Sequence, residues 1–265
     1  MGQELTVRRY GAINAIGLWT LYEKEVRRFM KVSMQTIFAP VVSTWLFMIV
    51  FVYAFGGDRR VVDGISFADF IAPGLVVMAV LSNAFANSSS SLIVAKIQGT
   101  HIDFMMPPLS PVELTAAFLA GAVTRGIVVA LAGLASVSMF ANVWPQHWWA
   151  VLYFGLTASM LFAAIGVIGG IWADKFDHLA AIQNFVITPL TFLSGTFYTP
   201  DVLPEPFRTL IHWNPVFYII DGFRYGFTGH ADGLLAIGAI CTGLLTLALV
   251  IACWLVIRSG WRMRA

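Results

Sequence analysis

The chain is 265 residues long, with 58% of them apolar or aromatic and 11% charged, against ~45–50% and ~25% in soluble domains; it reads as an all-α membrane protein. Its two cysteines, Cys241 and Cys253, share one apolar run, which excludes a disulfide framework or a structural zinc cluster built from them. The formal charge of +2 is small and the sixteen Lys and Arg are spread along the chain, so nucleic acid is not expected as a partner.

In chain order, residues 12–31 put Leu18, Tyr22, Val26, Phe29 and Met30 on one helical stripe, with Glu23, Lys24, Arg27 and Arg28 around the other side. That pattern predicts an amphipathic helix lying on the inner leaflet. A helix needs ~20 apolar residues to cross ~30 Å of hydrocarbon, and charge-poor stretches of that kind place six spans at 36–55, 70–92, 112–140, 148–172, 179–193 and 233–257. Asn142-Val143-Trp144-Pro145-Gln146-His147 parts the third from the fourth, and Pro189 is expected to kink the fifth. Between the second and third spans, Lys96, Gln98, His101 and Asp103 make residues 96–106 polar before Pro107-Pro108 stops the helix. Residues 195–232 are rich in aromatics yet broken by Pro200, Pro204, Pro206 and Pro215 and interrupted by Asp201, Glu205, Arg208, Asp221 and Arg224. They cannot cross, and short helices that dip into the outer leaflet and return are predicted instead.

Six spans leave Arg8, Arg9, Lys24, Arg27, Arg28, Lys31, Lys96, Lys175, Arg258, Arg262 and Arg264 on one side and only Arg59, Arg60, Arg208 and Arg224 on the other. The excess of positive charge orients both termini to the cytoplasm. Met1-Gly2 with Thr6 fits a myristoylation pattern, but a lipid anchor is redundant on a chain with six spans. Catalytic signatures are missing: there is no His-Glu-x-x-His, no Gly-x-Ser-x-Gly and no P-loop, and none of the four lysines follows a glycine. His101, His147, His178, His212 and His230 are scattered over loops on both sides, so no metal site is expected.

Arg125 is the single charge deep in a span, ~20 Å from the inner end of the third. Such a residue costs ~2.5–3.5 kcal/mol on insertion scales unless paired or hydrated. It should face the bundle or a cavity, either bonding neighbouring carbonyls, Asn and Ser groups or touching a substrate. Asn83, Asn87 and Ser88 in the second span and Gln183 and Asn184 in the fifth are further candidates for a pathway lining, with interhelical hydrogen bonding as the competing role. Gly166 with Gly170, and Ala122 with Gly126, are small-residue pairs suited to close helix approach, between subunits or within the core.

Two segments carry a family resemblance. The run from Gly99-Thr100-His101-Ile102-Asp103 through Pro107-Pro108-Leu109-Ser110 to Leu114 resembles the cytoplasmic motif after the second span of ABC-2 type transporter permeases. Pro189-Leu190-Thr191-Phe192-Leu193-Ser194-Gly195-Thr196-Phe197-Tyr198, with Leu203-Pro204, Asn214-Pro215 and Phe223-Arg224-Tyr225-Gly226, resembles that family's stretch between spans five and six. The resemblance implies a bacterial inner-membrane exporter in which two copies of the chain pair and each docks a separate ATP-binding cassette ATPase. ATP and Mg2+ would then bind in that partner, with no cofactor in this chain. It also implies that residues 96–106, with Lys96, Gln98, Gly99, His101 and Asp103, form the coupling helix seated on the ATPase. The amphipathic helix, with Glu23 and Arg27, would be the connecting helix beside it. Drug, lipid, glycolipid and polysaccharide exporters share this scaffold. The alternative is a self-contained secondary carrier or channel, whose mark would be carboxylates buried in the membrane; every Asp and Glu here reads as span edge or loop.

Overall fold

Asn14 starts the first helix: its Oδ1 accepts from Gly17 N at 3.0 Å, which satisfies one of the orphan N–H groups of a helix start. The structure, a computed structural model, describes residues 13–56, 61–62 and 64–262. Residue 12, the Met1-Gly2 and Thr6 pattern, and Arg8, Arg9, Arg59, Arg60 and Arg264 lie outside the described residues. Inner and outer name the two sides set by the charge asymmetry.

Helix α1 (Ala15–Lys31) buries Leu21, Glu25 and Phe29, one turn apart, while Ile16, Trp19 and Met30 stay exposed as an apolar stripe suited to lipid. The helix is amphipathic as expected, but Met30 is not on its packed face and Arg28 turns into the bundle instead of out to solvent. The first span has three parts: a π-helical turn over Met34–Phe38, α2 over Ala39–Ile49, and a second π-helical stretch over Val50–Gly56. Pro40 accounts for the first of these, because its ring crowds the carbonyl four residues back, at Thr36, and a widened turn relieves the clash. A two-residue hairpin, β1 (Val61–Val62) antiparallel to β2 (Ile65–Ser66), follows. Ser66 then caps α3 (Phe67–Ile97), accepting from Asp69 N at 3.1 Å.

After α4 (Ile102–Met105), α5 (Pro111–Val137) opens on a capping box in which Ser110 Oγ accepts from Glu113 N and the Glu113 carboxylate accepts from Ser110 N. Helix α6 (Trp148–Trp172) returns to the inner side. The expected fifth span is an unbroken helical run of α7 (Phe176–Ile182), a π-helical turn (Gln183–Ile187) and α8 (Thr188–Phe192). Pro189 does not break it; the π turn that holds the Phe185 carbonyl absorbs the proline. This run is only about 25 Å long. Among the described residues, five other helices have the length and apolarity of a full span: Met34–Tyr53, Phe67–Ile97, Pro111–Val137, Trp148–Trp172 and Leu235–Ser259. Helix α9 (Phe207–Trp213), α10 (Pro215–Thr228) and α11 (Leu235–Ser259) complete the chain.

Helices α3 and α6 form the centre, where two glycines let the backbones touch. A Cβ on Gly166 would lie 2.5 Å from Phe85 O, and one on Gly170 would lie 2.9 Å from Ser89 O. A Cβ on Gly126 would lie 3.4 Å from Val80 Cγ1 and closer still to Ser159. These positions therefore serve packing inside the subunit. Trp144, Trp148 and Trp149 ring the outer end and Trp172, Trp254 and Trp261 the inner end, as amphipathic rings do at headgroup level.

Candidate coupling surface and transport cavity

The polar link expected as one helix over residues 96–106 is the last turn of α3, a reversal at Gln98–His101, and the short α4. Gly99 makes the reversal at φ +70, a conformation that costs an L side chain ~1–2 kcal/mol. Gln98, Gly99 and Asp103 are exposed, and so are Ile97, Ile102 and Met106. Sequence reasoning missed these three apolar side chains at a wet tip, because an isolated Ile or Met in a membrane protein carries no signal of its own. Phe104 anchors the tip, edge-on to Phe118 at 5.4 Å with Lys24 over its ring. His101 is half-buried. Lys96 does not face outward: its Nζ donates to Ile171 O at 2.9 Å, Ala173 O at 2.7 Å and Asp174 at 3.2 Å, closing orphan carbonyls at the end of α6. That hydrogen bond, with Arg262 nearby, holds the Asp174 carboxyl below the usual carboxylate range.

Two clamps tie α1 to this region. Asn14 N donates to Glu113 Oε1 and Asn14 Nδ2 to Pro108 O at 3.3 Å, so the start of α1 is fastened to the loop after α4. Further along, Glu25 lies so close to Gly121 that a Cβ added there would come within 2.7 Å of the Glu25 Cβ. Glu25 accepts from Ser91 Oγ at 2.7 Å and from Arg28 at 3.1 Å, and Arg28 reaches Asn87 Oδ1 at 3.0 Å, Asn87 O at 2.7 Å and Ser90 Oγ at 3.1 Å. Asn87 is thus an interhelical bonding residue, its Nδ2 buried without a partner among the described residues. Ser88 likewise bonds α6, donating to Ala163 O at 2.8 Å. Glu23 and Arg27 pair with each other on the exposed side. The reading that every carboxylate is at an edge or in a loop needs correction for Glu25 and Asp221, which are buried on helix faces. Each has local partners: Arg28 for Glu25, and the backbone N–H groups of Asp232 and Gly233 for Asp221.

A cavity of about 420 Å³ lies between α2, α3, α5 and the Gln183–Ile187 turn. Asn83, Arg125 and Gln183 line it, together with Gln35, Ser43 and Ser82, whereas Asn184 is exposed and does not. Arg125 Nε and Nη2 donate to Asn83 Oδ1 at 3.2 and 2.8 Å, and Gln183 Nε2 reaches Ser82 Oγ at 3.4 Å. Two of the three π-helical stretches among the described residues deliver a glutamine to the wall, Gln35 from Met34–Phe38 and Gln183 from Gln183–Ile187. Such turns break the regular hydrogen-bond ladder and recur at functional sites.

The outer segment divides in two. Helix α9 is peripheral, with Phe207, Leu210 and Trp213 exposed, and Pro204 sits in the exposed loop before it. Helix α10 is buried against α3, α6 and α11, and Gly222 and Gly226 let it approach Phe154 and Val151. Asn214, just before Pro215 at the first turn, caps it by accepting from Val216 N at 3.0 Å and donates to Ser194 Oγ at 2.7 Å. Arg224 is fully enclosed, over the Phe70 ring and bonded to Phe70 O, Gly195 O and Asp232 at 3.1, 2.6 and 3.1 Å. Gly195 turns the chain there at φ +70. Tyr198 reaches Phe192 O at 3.4 Å, and burial pushes its phenol pKa up.

Comparison with known proteins accords with this architecture. The sequence pattern of the family described as ABC-2 type transporter matches residues 17–228. The chain is 34% identical over 251 residues to the inner membrane transport permease YadH of Escherichia coli strain K12, covering 94% of this chain and 98% of that protein. It is 25% identical over 242 residues to nodulation protein J of Rhizobium leguminosarum bv. viciae, covering 87% and 89%. A match to the family pattern over most of the chain, on a bundle of this kind, places the protein in the ABC-2 type transporter family, as the membrane permease component that works with a partner ATPase subunit.

Proposed function

We propose that two copies of this chain pair in the bacterial inner membrane, each seated on its own ATP-binding cassette ATPase, and that the pair exports an amphipathic or hydrophobic substrate. The inner-membrane placement follows the name of the Escherichia coli relative. The observation that carries the proposal is the inner tip, where Ile97, Ile102 and Met106 stand exposed beside Gln98, Gly99 and Asp103. A short apolar and acidic knob suits a cleft in a soluble motor better than it suits water. Movement at that tip reaches α1 through Pro108, Asn14 and Glu113, and α1 in turn holds α3 through Glu25, Arg28 and Asn87. Closure of two ATP-bound motors would then rock the two bundles about their shared interface and change the side to which the Arg125 cavity opens. Co-expression with the partner ATPase is the test: a complex of two permeases and two ATPases that hydrolyses ATP supports the reading. A permease that stays alone, or moves substrate with the ATPase absent, overturns it.

A further inference from the structure

Among the described residues that line the cavity, Arg125 is the one with a charged side chain. Two other arginines that reach into the bundle are matched to carboxylates, Arg28 to Glu25 and Arg224 to Asp232, each at 3.1 Å. Arg125 has only the neutral Asn83 amide oxygen, which takes Nε and Nη2, and its Nη1 bonds to none of the described residues. Arg125 and Asn83 lie roughly 20 Å from the inner ends of α5 and α3 by the helical rise, near the middle of ~30 Å of hydrocarbon. Headgroups of the bilayer's own lipids do not sit at that depth. Beside the cation, Phe47, Leu75 and Met78 give the cavity an apolar wall.

We propose that this cavity takes an anionic amphipath as cargo: a phosphate, sulfate or carboxylate headgroup binds Arg125 Nη1 beside Asn83, and the apolar part lies along Phe47, Leu75 and Met78. The proposal rests on the reading of the chain as a transporter permease. A lone guanidinium in a low-dielectric site binds an oxyanion through charge-assisted hydrogen bonds, and the anion offsets the desolvation of the cation.

The test uses the permease–ATPase complex in phosphatidylcholine vesicles, with Cys241→Ser, Cys253→Ser and Ser43→Cys leaving one thiol at the cavity mouth. Dodecyl phosphate should slow labelling of that thiol by a membrane-permeant maleimide about tenfold more than dodecyl maltoside does. Arg125→Lys should retain the preference and Arg125→Gln should abolish it. Ser82→Glu, which supplies an internal carboxylate and keeps the arginine, should abolish it as well, so the result does not depend on one variant folding. Added ATP should restore labelling as the amphipath leaves. Equal protection by the two amphipaths, or a preference that survives both Arg125→Gln and Ser82→Glu, would overturn the anion site. Protection that persists through ATP turnover would mark a resident lipid and overturn the cargo assignment. A complex that forms and hydrolyses ATP without any phosphate preference sinks this inference alone, whereas failure to form the complex sinks the permease–ATPase reading.

Discussion

Glu25 takes hydrogen bonds from Ser91 and Arg28 while lying against Gly121. Its replacement by alanine strands a partly buried guanidinium and should lower stability by about 2 kcal/mol, read as a thermal shift of the detergent-purified protein. Glu23→Ala, which breaks only an exposed pair with Arg27, should cost under about 0.5 kcal/mol; equal shifts for the two would contradict the buried network. A pH titration checks the Lys96 clip. Because Asp174 is depressed in the fold, its contribution is present above the ordinary carboxylate pKa and is lost as pH falls through the depressed value. The stability gap between the parent and Asp174→Asn should therefore hold steady through neutral pH and close only below the ordinary carboxylate range. Arg125 was legible in the sequence because it stands alone in an apolar span. Glu25 was not, since Glu23, Lys24, Arg27 and Arg28 around it read as one solvated face; its spacing of four from Leu21 and from Phe29 was the available clue.

Helices were easier to read than their ends. Charge-poor runs located the long spans because a helix of ~20 apolar residues satisfies its own backbone groups in hydrocarbon, and prolines marked where the regular ladder is interrupted. What one-dimensional pattern could not convey was that Pro40 and Pro189 would each be absorbed by a π-helical turn, bringing Gln35 and Gln183 to the same cavity. The outer segment was equally opaque, since aromatic content is similar in exposed α9 and buried α10; only tertiary packing of Gly222 and Gly226 on α6 separates them. A cysteine at exposed Val202 should label readily from the outside, while one at fully buried Ile220 should be protected; equal labelling of both would deny that α10 is buried. Gly166→Leu is the corresponding test in the core. Its side chain must displace the α3 backbone at Phe85, and a loss of about 2–3 kcal/mol in stability is expected, with little accumulation of folded protein.

In the proposed mechanism the tip after α3, the clamped α1 and the cavity are parts of one mechanical path, joined by the hydrogen bonds of Asn14 to Pro108 and Glu113 and of Arg28 to Asn87. The family resemblance rested on the residues that build this path and the outer turn, such as Gly99, Asp103, Pro107, Asn214 and Arg224. The roles of Asn14, Glu25 and Glu113 became visible only when distant segments met, because their partners are far along the chain. The most direct test of a motor-driven permease is site-specific cross-linking at the tip. With Asp103→Cys in the chain and a photoactivatable thiol reagent, a cross-link to the ATPase subunit is expected in inner-membrane vesicles, one that changes in yield between nucleotide-free and ATP-trapped states. Labelling of that cysteine from the outer face, or free reactivity in a complex where the ATPase is bound, would contradict it.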